Sequence, residues 1–187
     1  PTAVEECYDI VAWAFANAEN LGVDPLRIAI GGHSAGGNFS AVITMMAQKS
    51  GDFRVIGHVM DYPFVDGVTP PAEKIDERSL MPEWRMNAFN VLYAGVPENL
   101  SDARLSPILA TREVCIGQPP VLILIAGMDP LRFEAQRYAA KLIEAGVNVT
   151  VRQFPDKDHG FVVSGMPGHE DARRIIFDWL DQLFNEN

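Results

Sequence analysis

The chain has 187 residues, 48% hydrophobic and 21% charged, a balance that fits one globular domain with a sizeable core. Its formal net charge of -10 repels phosphate backbones, so nucleic acid is excluded as an expected partner. Cys7 and Cys115 stand in no metal-ligand spacing and are too few for a disulfide framework. No metal or cofactor is therefore expected, and a reducing, cytoplasmic setting fits. No apolar run reaches the length of a membrane span. The sequons at Asn38, Asn99 and Asn148 are of a kind that arises by chance, and Asn38 falls in an expected packed helix.

The spacing of Ile10, Val11, Ala14, Phe15, Ala18 and Leu21 predicts a helix over Glu5 to Leu21, stopped at Gly22. Asp24-Pro25 marks a turn, and Arg27 to Ile30 reads as a short strand. A helix is expected from Ser34 to Gln48, ended by Gly51, then a strand from Val55 to Met60. Residues 66 to 107 are rich in Pro, charge and Met and hold no strand-like run. They read as a cap-like insertion with a helix over Trp84 to Tyr93. Val121 to Ala126 is the strongest strand, and its unbroken apolar run predicts burial on both faces, as in a parallel sheet. A helix over Phe133 to Ala145, a strand over Val147 to Phe154 and a helix over Glu170 to Phe184 follow. The last carries Ile175, Ile176, Trp179, Leu180, Leu183 and Phe184 as one stripe. Alternation of this kind predicts an α/β fold, a mostly parallel sheet with flanking helices.

Gly32-His33-Ser34-Ala35-Gly36 matches Gly-x-Ser-x-Gly between an apolar strand and an amphipathic helix. A serine at such a sharp strand-to-helix turn projects from the sheet's carboxyl edge. Side chains two positions to either side are expected to collide, which Gly32 and Gly36 relieve. The Ala35 N–H is placed to donate to a developing oxyanion. A serine hydroxyl needs a base, and the base an orienting carboxylate, in the chain order Ser, Asp/Glu, His. Asp129 follows the strand ending at Ala126, and His159 the strand ending at Phe154. Alone, Asp129 reads equally as a turn residue before Pro130 and His159 as a surface histidine. Together, in that order, they make Ser34, Asp129 and His159 the candidate nucleophile, acid and base. Asp61 is a rival carboxylate at the end of its own strand. His58 reads as a core histidine, and His169 as a residue before the last helix.

Three blocks carry a family resemblance. Gly32 to Asn38, Asp129-Pro130-Leu131-Arg132 and His159-Gly160-Phe161 resemble the nucleophile, acid and base blocks of the hormone-sensitive-lipase-like carboxylesterases. The resemblance implies an α/β-hydrolase fold and a serine carboxylesterase working through an acyl-enzyme on short-acyl, small-molecule esters. Trp84, Met86 and Phe89 are the candidate pocket residues in the insertion. His33 stands where an acidic residue is commonest in that family, a form shared with arylformamidase-like relatives. Amidase, arylformamidase or peptidase activity on the same fold, and a catalytically dead small-molecule receptor, stay as alternatives. The family's His-Gly-Gly-Gly oxyanion loop is absent from the chain, and the family places it upstream. The chain is therefore expected to be the C-terminal part of a longer enzyme, a poor catalyst alone. Its open strand edge is expected to be covered by a companion N-terminal segment or a second copy in a homo-oligomer.

Overall fold

The computed structural model describes residues 2–186. Four parallel strands form one sheet in the order β1-β2-β3-β4: β1 Ile30–His33, β2 His58–Asp61, β3 Val121–Ala126 and β4 Val149–Phe154. Among the described residues seven α-helices accompany them: α1 Thr2–Ala16, α2 Ala18–Leu21, α3 Ala35–Ser50, α4 Glu83–Ala94, α5 Arg112–Cys115, α6 Arg132–Glu144 and α7 His169–Glu186.

β3 explains the architecture. All six of its residues are buried. Val121, Ile123 and Ile125 face a core shared with Val42 and Met45 of α3 and with Ala135, Tyr138 and Leu142 of α6. Leu122, Leu124 and Ala126 face the opposite core, against Ala172, Ile175, Ile176 and Trp179 of α7. A strand covered by helices on both sides must be apolar at every position, because alternate residues point to opposite faces.

Element edges differ from the sequence expectations for local reasons. The first helix breaks at Asn17, whose side-chain amide donates to the Trp13 carbonyl at 2.9 Å, so two helices replace one. The first strand is Ile30–His33 rather than Arg27 to Ile30. Pro25–Arg27 closes a single 3-10 turn, capped by the Asp24 carboxylate, which accepts from the Leu26 N–H at 2.8 Å. Ile28 still reaches the sheet, since its carbonyl accepts from the Ile56 N–H at 2.9 Å. Strands β2 and β4 likewise begin later than the apolar runs at Val55 and Val147. Gly22 and Gly51 end α2 and α3 in left-handed conformation, at φ 70° and 77°.

Between β2 and β3 there is no strand among the described residues. That stretch holds α4, α5 and short 3-10 turns at Pro71–Glu73, Pro97–Ser101 and Pro107–Leu109. Asn38 ties it to the base of α3. The Asn38 amide, fully buried, donates to the Phe64 and Leu105 carbonyls at 2.8 and 2.9 Å and accepts from the Tyr93 hydroxyl at 2.8 Å.

Candidate active site

Ser34 joins β1 to α3 at φ 54°, a conformation L residues avoid. Its N–H is held by the Asp61 carbonyl at 2.9 Å, which fixes the turn to the end of β2. A Cβ on Gly32 would lie 2.5 Å from the Gly36 backbone carbon, so the turn excludes any side chain there. The expectation for Gly36 is corrected: a Cβ on Gly36 meets nothing within 4 Å. The close approach is one-sided, because the Gly36 backbone itself fills the space that a side chain at position 32 would need. Ser34 occupies the helix N-cap without capping it, leaving its hydroxyl for another partner. Ala35 is the first residue of α3, where an N–H has no intrahelical acceptor.

That partner is His159. Its Nε2 lies 2.9 Å from Ser34 Oγ, and its Nδ1 lies 2.7 Å from Asp129 Oδ2. Asp129 is 1% exposed, and its other oxygen accepts from the Leu131 N–H at 2.9 Å. The Asp129 carboxylate only accepts, so in the neutral imidazole Nδ1 carries the proton and Nε2 is left to accept from the serine. The loop after β3 is laced to the loop after β4: the Gly127 and Met128 N–H groups each donate at 2.8 Å, to the Phe154 and Lys157 carbonyls. Three residues far apart in sequence therefore meet at the carboxyl edge of one sheet, where open α/β sheets place their sites. A hydroxyl bonded to a neutral imidazole that a buried carboxylate orients is the arrangement that activates a serine nucleophile.

Asp61, the rival carboxylate, is bonded elsewhere. Its Oδ2 accepts from His33 Nδ1 at 2.6 Å, and Tyr62 Oη lies 3.2 Å from the same nitrogen. Burial pushes the Asp61 carboxyl above its usual range, against the opposing pull of His33 and His159. Tyr62 sits edge-on to His159, with ring centroids 4.9 Å apart. His58 is 1% exposed inside β2, and His169 is the first residue of α7.

A cleft opens beside Ser34, lined by Phe64, Pro71, Lys74, Met81, Met86, Phe89, Asn90 and Leu131. Met86 and Phe89 belong to it, but the expectation for Trp84 is corrected. Trp84 is 67% exposed, with the Arg85 guanidinium 5.6 Å from its ring. On α4, residues 86, 89 and 90 share one face and residue 84 falls on another, as a 3.6-residue repeat requires. Phe64, Met81 and Leu131 were missed in the sequence. Only Leu131 carried a signal, inside the Asp-Pro-Leu-Arg block. Among the described residues no helix is long and apolar enough to cross a membrane, and no cluster of His, Cys, Asp and Glu is arranged to hold a metal ion.

Comparison with known proteins bears on the family and the fold. A family model described as the alpha/beta hydrolase fold matches residues 1–163. The chain belongs to this α/β-hydrolase family, in its hormone-sensitive-lipase-like carboxylesterase branch. It is similar to the carboxylic ester hydrolase LipN of Mycobacterium tuberculosis, 36% identical over 171 residues, which cover 87% of this chain and 45% of that protein. The ethyl acetate hydrolase of Pseudomonas putida is 32% identical over 168 residues, covering 88% of this chain and 52% of that protein. The hyperthermophilic esterase from Pyrobaculum calidifontis superposes with a TM-score of 0.87 at 32% identity, over 100% of this chain and 61% of that one. The chain thus spans about half the length of the curated relatives it matches.

Proposed function

We propose that this chain carries the catalytic triad of a serine carboxylesterase acting on short-acyl, small-molecule esters. The observation that carries the reading is the continuous bond path from Ser34 Oγ through His159 to buried Asp129. Its support from the comparisons is that the similar proteins bear ester-hydrolase names. His159 takes the Ser34 proton as Oγ attacks the ester carbonyl, and Asp129 steadies the imidazolium. The Ala35 N–H receives the oxyanion. His159 then gives its proton to the leaving alcohol. Water deprotonated by His159 cleaves the acyl-enzyme and restores Ser34. Residues 66 to 107 act as a cap over the cleft, with Met86 and Phe89 against the substrate.

An oxyanion hole needs converging donors, and Ala35 supplies one. We assign the second donor, and the cover for the outer edge of β1, to a companion N-terminal segment or a second copy of the chain. An uncovered strand edge is a pairing hazard. Free Cys7 and Cys115 fit a reducing, cytoplasmic setting. The test is a fluorophosphonate probe on the full-length protein. Ser34 should be labelled and Ser34→Ala should not. Labelling that survives the substitution refutes the assignment.

A further inference from the structure

Two polar side chains, Lys74 and Asn90, line the otherwise apolar cleft beside Ser34. Lys74 is 9% exposed. Its ammonium donates to the Asp66 carbonyl and to Glu134 Oε2, the latter at 2.5 Å, and stands 5.4 Å from the Phe64 ring centroid. An ammonium has three N–H donors, so these acceptors leave one unassigned. Asn90 sits on the α4 face that carries Met86, half-buried, and its side-chain amide makes no hydrogen bond among the described residues.

A structural role explains only part of this. Glu134 also accepts from the Val65 and Asp66 N–H groups, at 2.7 and 3.1 Å, so the Lys74–Glu134 pair pins the chain after β2 onto α6. A buried ion pair of this kind adds little net stability over an apolar replacement. It also leaves unexplained why Lys74 and a free amide line a wall otherwise made of Phe, Met, Leu and Pro. An apolar cleft with a few placed polar groups is the design that orients a ligand by its heteroatoms.

We propose that the cleft takes an ester substituent bearing a second, neutral carbonyl oxygen, a ketone or a further ester group, received by the Lys74 and Asn90 N–H donors. This rests on the esterase reading and specifies its substrate class. The acceptor is neutral because Glu134 opposes the Lys74 charge, burial raising its carboxyl and the ammonium pulling it back down. The neighbouring Asp66 carboxylate is itself held by Arg137 at 2.7 Å. A substrate carboxylate would bring a further anion to a cation already paired.

The test compares kcat/KM of the full-length protein on shape-matched esters. Ethyl 4-oxopentanoate against ethyl 4-methylpentanoate places the carbonyl on the acyl side. 2-Oxopropyl butanoate against isobutyl butanoate places it on the alcohol side. Monoethyl succinate supplies the charged case. The keto ester should be preferred on one of the two sides, by on the order of tenfold for a charge-assisted hydrogen bond. Lys74→Met and Asn90→Leu should each shrink that ratio. Asn90 is only half-buried on α4, so Asn90→Leu remains informative even where Lys74→Met strands Glu134 and fails to fold. Ratios near one on both sides overturn the proposal. So does a ratio unmoved by Asn90→Leu, or monoethyl succinate outrunning ethyl 4-oxopentanoate. Hydrolysis of none of the five would instead refute the esterase reading on which the proposal stands.

Discussion

Asp158 and Ser79 are joined by a 2.6 Å hydrogen bond, which fastens the stretch between β2 and β3 to the loop that bears His159. The same carboxylate accepts from the Leu80 N–H at 2.5 Å and from the His159 N–H at 2.7 Å. Asp158 is too near His159 in sequence to orient its ring. It instead binds the His159 backbone and the Ser79-Leu80 segment at once.

Asp158→Ala should therefore lower both stability and turnover. It strands three donors in a site only 6% exposed. Hydrogen bonds to a charged group contribute about 2 kcal/mol, which is roughly 4–8 °C in melting temperature for a chain of this size. Thermal melts and p-nitrophenyl acetate turnover check this. Unchanged values in both would show that the cap does not lean on the base loop.

Asp129→Asn should cost about four orders of magnitude in kcat, the usual consequence of leaving the base imidazole in the wrong tautomer. Asp61→Asn should cost far less, because Asp61 bonds His33 and not His159. Among the described residues buried Asp61 Oδ1 has no hydrogen-bond partner, so the substitution breaks no bond on that side. A larger loss at Asp61 than at Asp129 would reverse the assignment.

The sequence carried the layers of the fold and the order of the site, and the reasons are local. Val121 to Ala126 is apolar at every position, which admits little besides a strand covered on both faces. The elbow pentapeptide announces its own turn. What it did not carry were relationships made only by packing. Nothing near His33 names Asp61, 28 residues away, as its partner. Trp84 looked like a pocket residue because it is large and apolar, yet the rotation of α4 turns it outward. Lys74 reads in sequence as one more charge in a charged stretch. Only the fold brings Glu134 within 2.5 Å of it.

Acyl-chain preference should respond to Phe89 and not to Trp84. Phe89 lines the cleft while 53% exposed, so Phe89→Ala removes wall without emptying the core. Activity on a p-nitrophenyl ester series should peak at short chains and move to longer ones in Phe89→Ala. Trp84→Ala should leave the peak in place. A peak at about sixteen carbons in the unmodified protein would contradict a compact site.

Acid sensitivity should trace in part to His58. Burial inside β2 pushes its imidazole down to about 3, and among the described residues Nε2 has no hydrogen-bond partner. In the unfolded chain the ring titrates near 6.5. Between these values the unfolded state binds a proton that the folded state does not. Stability is therefore fully present above about pH 6.5 and falls as pH drops toward 3. At pH 5 this one group removes about 2 kcal/mol relative to neutral pH. His58→Met fills similar volume without a titrating group and frees the core of an unpaired nitrogen. Urea midpoints measured at pH 7 and pH 5 should differ less in His58→Met than in the parent. An equal loss in both would place the acid sensitivity elsewhere.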